Sequence, residues 1–218
     1  MSLLDLVLPV SCAGCGTAGS ACCPECFAGL TRPAPVARGP TAGTTPVYAL
    51  ARYGGAARRL VLAYKERGRR DLAASLGAAL AGALPYLPEA RPDPAGLWWL
   101  VPVPSRRAAS RVRGGPHLLR LARVCAAELA AAGHAAAVAP ALRLGSGVRD
   151  AVGLDRAQRA ANLAGRLAVD ARGLPPPGTP VVLLDDVVTT GATAAACSGA
   201  LATRNCQVTA VLALTAAG

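Results

Sequence analysis

Two short stretches of this chain carry side chains whose type and spacing suit chemistry. The first is VVLLDDVVTTGAT, residues 181–193. Its opening aliphatic run, VVLL, reads as a central strand buried on both faces of a parallel sheet. Asp185 and Asp186 follow it. A carboxylate pair is costly inside a core but sits naturally in the crevice above strand ends, where α/β proteins bind ligands. Thr189, Thr190, Gly191, Ala192 and Thr193 then bring hydroxyls and a flexible glycine to the start of a helix. Such a loop wraps a phosphate with successive backbone N–H groups, helped by the positive end of the helix dipole. The alternative is an acidic pair of some other α/β protein, holding a metal. Competing phosphate motifs are absent: there is no GxxxxGK[ST], and the GSG at 145–147 lacks GxGxxG spacing.

The second stretch is cysteine-dense. Cys12 and Cys15 form one CxxC, and Cys23 and Cys26 form another after seven intervening residues. Four thiolates so spaced suit tetrahedral zinc, and the short connection implies a compact knuckle rather than a long ribbon. Cys22 is the spare. A redox-active thiol pair, or cysteines buried as small apolar residues, are the other readings. Cys125, Cys197 and Cys206 lie in apolar contexts and are expected in the core.

The elements that must position these groups follow from punctuation and periodicity. Residues 31–46 (TRPAPVARGPTAGTTP) have the composition of a linker or extended arm. The expected organisation is therefore a four-cysteine module over 1–30, a linker over 31–46 and a domain over 47–218. Within that domain, strands are expected at 47–53, 97–103, 136–142, 181–184 and 207–214, and helices at 56–64, 71–84, 118–132 and 192–204. Strands alternating with helices imply an α/β fold with a doubly wound parallel sheet.

Composition narrows the class. Hydrophobic residues make up 53% of the 218 and aromatics only 3%, so Ala, Val and Leu must build the core. A formal charge of +11 would suggest a polyanionic partner. Lys65 is the only lysine among 23 basic residues, however, and an Ala-, Gly-, Pro- and Arg-rich composition weakens that inference. No apolar run approaches the ~20 residues that a membrane helix needs, so no membrane insertion is expected. Asp5 and the lack of Lys or Arg before the first apolar stretch disfavour an export signal, and clustered CxxC pairs favour a reducing cytoplasm.

VVLLDDVVTTGAT resembles the phosphoribosyl pyrophosphate (PRPP) motif of type I phosphoribosyltransferases. The resemblance implies that Asp185 and Asp186 accept hydrogen bonds from the two ribose hydroxyls. It puts Val187, Val188, Thr189, Thr190, Gly191, Ala192 and Thr193 in the PRPP-binding set as well, with Thr189 to Thr193 cradling the 5-phosphate. It also places a pyrophosphate loop at VPVPSRR, residues 101–107, with Arg106 and Arg107 as partners of the leaving group; their other reading is a solvated basic turn. Residues 143–162 fall where a closing loop would lie, with Arg149, Arg159 and Asn162 as candidates, although an ordinary surface helix explains them too.

Together with the four-cysteine module, the chain resembles the ComF/GntX family of phosphoribosyltransferase-like proteins over nearly its whole length. Tyr53, the LVLAYK of residues 60–65, the VPVP turn, Arg113 with Gly114, and Arg159 with Asn162 add to the likeness. The family often follows its Arg-Gly pair with Asn-Gln, whereas this chain has Pro116 and His117. His117 is expected to be an exposed loop histidine, with a general acid or phosphate partner as the alternative. Lys65 reads either as a phosphate contact or as an ordinary surface lysine. The resemblance implies a type I phosphoribosyltransferase-like doubly wound parallel sheet preceded by a small zinc-binding knuckle. It also implies structural Zn²⁺ and Mg²⁺ arriving with PRPP. The implied activity is phosphoribosyl transfer to an acceptor, a pentosyltransferase reaction served by Asp185, Asp186, Arg106 and Arg107. The alternative is a non-catalytic accessory protein of natural competence that binds single-stranded DNA or DNA-uptake partner proteins.

Overall fold

In the computed structural model, residues 10–104, 116–145 and 167–218 are described. Arg106, Arg107, Arg113, Gly114, Arg149, Arg159 and Asn162 lie outside them.

The centre is a six-stranded sheet of order β1-β2-β8-β7-β3-β4. Its strands are β1 (Ala34–Pro35), β2 (Val47–Arg52), β3 (Trp98–Pro102), β4 (Ala136–Val138), β7 (Pro180–Val188) and β8 (Gln207–Ala216). All neighbours pair in parallel except β1, which runs antiparallel to β2 at the edge. β5 (Leu142–Leu144) and β6 (Leu167–Val169) form a separate antiparallel pair. The expected strand at 136–142 is thus split, because Ala139 to Ala141, with Pro140 unable to donate to a ladder, turn the chain away from the sheet.

β8 and β7 are the two central strands, and their aliphatic runs are buried on both sides, as a parallel sheet covered by helices requires. β3 connects forward to β4 on one flank, whereas β7, entered later, lies on its other flank. The connection therefore reverses between β3 and β7, and ligands of open α/β sheets bind outside the carboxyl ends of strands at such a point.

Five helices are described: α1 (Pro24–Ala28), α2 (Gly55–Glu66), α3 (Ala73–Ala83), α4 (His117–Ala131) and α5 (Ala192–Ala202). On α4, Leu118, Leu121, Ala122, Cys125, Ala126 and Leu129 are buried at helical spacing, so one apolar stripe packs against the sheet and α3. α2 takes a different course. It begins just after β2 ends, where Tyr53 N–H donates to the Ala216 carbonyl, and it finishes with Tyr64 touching α4 and Lys65 touching β7. A helix with both ends at the carboxyl edge crosses that edge as a beam. Among the described residues no helix is long and apolar enough to cross a membrane.

The stretch after the knuckle lies against the sheet. Residues 34–35 pair with β2, and the 3₁₀ turn Gly39–Thr41 packs on α5. Cys125, Cys197 and Cys206 are core residues, as the sequence led us to expect.

Candidate functional site

Asp185 and Asp186 do not stand beyond the strand. β7 continues through them to Val188, because the ladder with β8 runs on through Asp185 opposite Ala213 and Val188 opposite Ala216. Both are buried, at 7% and 3% exposure. Successive strand residues face opposite sides of a sheet, so the two adjacent carboxylates enter different surroundings.

Asp186 faces α2 and α4. Lys65 Nζ donates to its Oδ1 at 3.0 Å and lies 2.9 Å from Oδ2, while His117 Nε2 is 2.7 Å from Oδ2. Burial alone would raise this carboxyl, but the His117 hydrogen bond and the Lys65 ammonium outweigh it and hold Asp186 below the usual carboxylate value. His117 is itself located by Tyr64, whose hydroxyl donates to its carbonyl at 2.8 Å and whose ring meets the imidazole edge-on at 6.0 Å. The expectation of an exposed loop histidine was wrong. His117 is the first residue of α4 and only 4% exposed, because the helix start tucks it over the end of β7. Its Nδ1 is buried and has no partner among the described residues.

Asp185 faces α5, near enough to Cys197 to help raise that thiol. Its Oδ1 accepts the Asp186 backbone N–H at 2.8 Å. Burial, reinforced by the neighbouring Asp186 charge, pushes Asp185 up to about 7, and the hydrogen bond from the Asp186 N–H, followed by the more distant Lys65 charge, only partly offsets this.

Beyond Val188 the chain turns through Thr189 and Thr190 into α5. Gly191 caps that helix at φ +81°, a left-handed conformation that glycine adopts without strain. A Cβ there would lie 2.8 Å from Arg38 Cβ, so the 31–46 stretch approaches the loop closely. The Thr190 hydroxyl accepts the Ala192 N–H at 3.2 Å. The Arg38 guanidinium donates to the Ala217 carbonyl beside this loop, and its Nε is buried without a partner among the described residues. Sequence reasoning had not selected Arg38, and nothing in its local sequence marks it.

The cysteines form a second cluster. The Sγ atoms of Cys12, Cys15, Cys23 and Cys26 all lie within 4.8 Å of one another, with Cys15 and Cys23 at 3.5 Å. Tetrahedral zinc with sulfur ligands at about 2.3 Å sets its sulfurs about 3.8 Å apart, so the donor set fits that ion. The Cys12 thiol is raised by burial but lowered more by N–H groups including that of Cys23, and it comes down to about 6, which favours the thiolate that metal binding needs. Cys22 stays out of the cluster. Its thiol turns to the Cys23 carbonyl, and burial with the nearby cysteines pushes it up to about 11.

The knuckle docks on α2. A Cβ at Gly14 would lie 2.7 Å from Cys26 Sγ and 3.3 Å from Leu60 Cγ, and the Arg59 guanidinium donates to the Gly14 carbonyl. Cys12, Cys23, Cys26 and Leu60 belong to one apolar core with the strands.

No protein-family model matches the chain, and no curated protein matches it significantly by sequence. Among solved structures it is similar to two described as the asparagine and glutamic acid mutants in an analysis of an invariant aspartic acid in HPRTs. Both are 13% identical to it, with TM-scores of 0.35 and 0.36. The matches cover 68% of this chain and 65% and 66% of those chains, so it spans just under two thirds of their length. At that similarity nothing about the chemistry of Asp185 and Asp186 transfers from those proteins to this one.

Proposed function

We propose that the chain binds PRPP, with its Mg²⁺, at the carboxyl edge of β7 and transfers the phosphoribosyl group to an acceptor. The observation that carries this reading is a pair of consecutive carboxylates near the carboxyl end of a central strand at the β3/β7 switch point, from which the chain leads through a glycine turn into a helix. In this reading Asp185 and the spare acceptor capacity of Asp186 take the ribose hydroxyls. Thr189 to Thr193, with the dipole of α5, take the 5-phosphate. Arg106 and Arg107 neutralise the leaving group. The bond from C1 to pyrophosphate oxygen breaks and its electrons leave with pyrophosphate, while a lone pair of the acceptor forms the new bond to C1. The protein supplies positioning and charge neutralisation. Zinc in the knuckle is structural, and the combination of knuckle and motif supports membership of the ComF/GntX family.

A binding role without turnover is the second reading, favoured by the engagement of Asp186 with Lys65 and His117. Its partners would be single-stranded DNA or DNA-uptake proteins. Stacking on the tryptophans has little support, since Trp98 is buried and Trp99 Nε1 donates to Asp93 at 2.9 Å.

Calorimetry with PRPP and Mg²⁺ tests the reading common to both. Heat of binding that disappears in Asp185→Asn with Asp186→Asn is expected, and no heat from the unaltered chain overturns it. Pyrophosphate release across a panel of bases and amines then separates enzyme from binder. For DNA, affinity must fall steeply with salt.

A further inference from the structure

Burying a carboxylate to hold a lysine is a poor way to stabilise a fold. Desolvation consumes much of the Coulombic gain, and an apolar replacement of similar volume is often as stable. The Lys65, Asp186 and His117 cluster therefore invites a chemical explanation. An ammonium has three N–H donors, and Lys65 spends at most two on the Asp186 oxygens. Its side chain is 31% exposed against 5% for its anchor, so the charge is held between a buried anion and solvent.

Position decides which part of a ligand it meets. α2 carries Lys65 across the carboxyl edge to the side of β7 where α4 begins, whereas the 189–193 loop turns into α5 beside Asp185. A ligand with one phosphate in that loop would meet Lys65 with a different group, on the far side of the strand end, and an ammonium suits an anionic one there.

We propose that Lys65 contacts the pyrophosphate of PRPP and that Asp186 and His117 are positioning residues that hold its ammonium there. This rests on the PRPP reading above. Asp186 binds Lys65 through both oxygens, and His117, itself fixed by Tyr64, keeps the carboxylate ionised and in one orientation.

The test is calorimetry on the full chain with two probes, PRPP with Mg²⁺ and ribose 5-phosphate, with a thermal melt on each variant to establish folding. Lys65→Met should weaken PRPP about tenfold to hundredfold, the value of a hydrogen bond between charged groups, and leave ribose 5-phosphate within about twofold. Asp186→Asn, which also loses an acceptor for the ribose hydroxyls, should weaken both probes but PRPP by the larger factor, and the variant combining it with Lys65→Met should bind PRPP no more weakly than Asp186→Asn alone, because Asp186 acts through Lys65. His117→Gln, which keeps an N–H donor, should recover most of the PRPP affinity lost in His117→Ala. If the unaltered chain binds neither probe, the PRPP reading fails and this inference with it. If it binds both but Lys65→Met weakens neither, or weakens the two equally, the Lys65 assignment alone fails. Additive losses in the double variant overturn the positioning role of Asp186.

Discussion

Asp185 and Asp186 are consecutive in the chain, equally buried, and opposite in character. One meets helix α5 with no cation in contact among the described residues and is pushed toward neutrality, while the other meets α2 and α4 and is held ionised by Lys65 and His117. The alternation of a strand converts a repeated residue into two environments. On Asp185's side lies the glycine-turned loop, and on Asp186's side lies a cation braced by a helix that the cysteine knuckle supports. Through α2 the four-cysteine knuckle is thus mechanically joined to the carboxyl edge of β7 on Asp186's face.

Zinc removal gives the largest expected contrast. About one zinc per chain by elemental analysis, lost in Cys12→Ser and kept in Cys22→Ser, is expected for tetrathiolate ligation. Because structural zinc binding is itself folding free energy, chelation should release the packing of Gly14 and Cys26 on Leu60 and loosen α2. PRPP affinity should then fall more than ribose 5-phosphate affinity. Equal losses would mean that the knuckle supports both faces alike.

Next in size is substitution of the acids themselves. Asp186→Ala leaves Lys65 and His117 without their partner and should cost about 3 kcal/mol in chemical denaturation, the low end for a broken buried pair because Lys65 keeps water. Asp185→Asn, compared near pH 4 where the folded group is neutral and the unfolded one is only beginning to ionise, should change stability by less than about 1 kcal/mol. Comparable costs at the two positions would erase the distinction drawn from their surroundings.

The pH dependence should separate them by sign. Asp185 has its folded pKa raised from 3.8 to about 7, so the folded chain binds the extra proton, and stability falls as pH rises across that window. Asp186 has its folded pKa lowered, so its contribution is present above 3.8 and is lost as pH falls through its folded value. Denaturation midpoints between pH 4 and 7 should therefore flatten in Asp185→Asn. If the slope survives that substitution, the raised carboxyl lies elsewhere.

How far these features were legible in the sequence depends on their range along the chain. The knuckle is two pairs of cysteines three apart, and the β7 motif is thirteen consecutive residues, so spacing revealed both. The fold class followed from alternation, since aliphatic runs and amphipathic stretches each carry their own period. The Lys65, Asp186 and His117 cluster joins residues separated by 121 and 69 positions, and only the crossing of α2 over the sheet edge brings them together. The signals were that Lys65 is the one lysine and closes the family-like LVLAYK stretch, and that His117 stands where the resemblance breaks, just before an apolar helical stripe. Burial of the acids was missed for a related reason. Charge argued for an exposed strand end, whereas partners from two distant helices supply the compensation for Asp186, and Asp185 is driven toward its neutral form.

A further effect is expected on Asp185's side, at Gly191. Alanine there must adopt a φ of +81° and press against Arg38 Cβ, with 2.8 Å between the two carbons. A left-handed residue with a side chain costs about 1–2 kcal/mol, measurable as a lower denaturation midpoint. The loop can relieve the contact only by moving away from Arg38, which changes the direction of its N–H groups. Ribose 5-phosphate and PRPP should then weaken by the same factor, because both present the same phosphate to that loop. Lys65→Met should instead separate the two ligands. If Gly191→Ala lowers stability yet spares ribose 5-phosphate, the 5-phosphate lies outside the 189–193 loop, and the division of the site between the two faces of β7 must be redrawn.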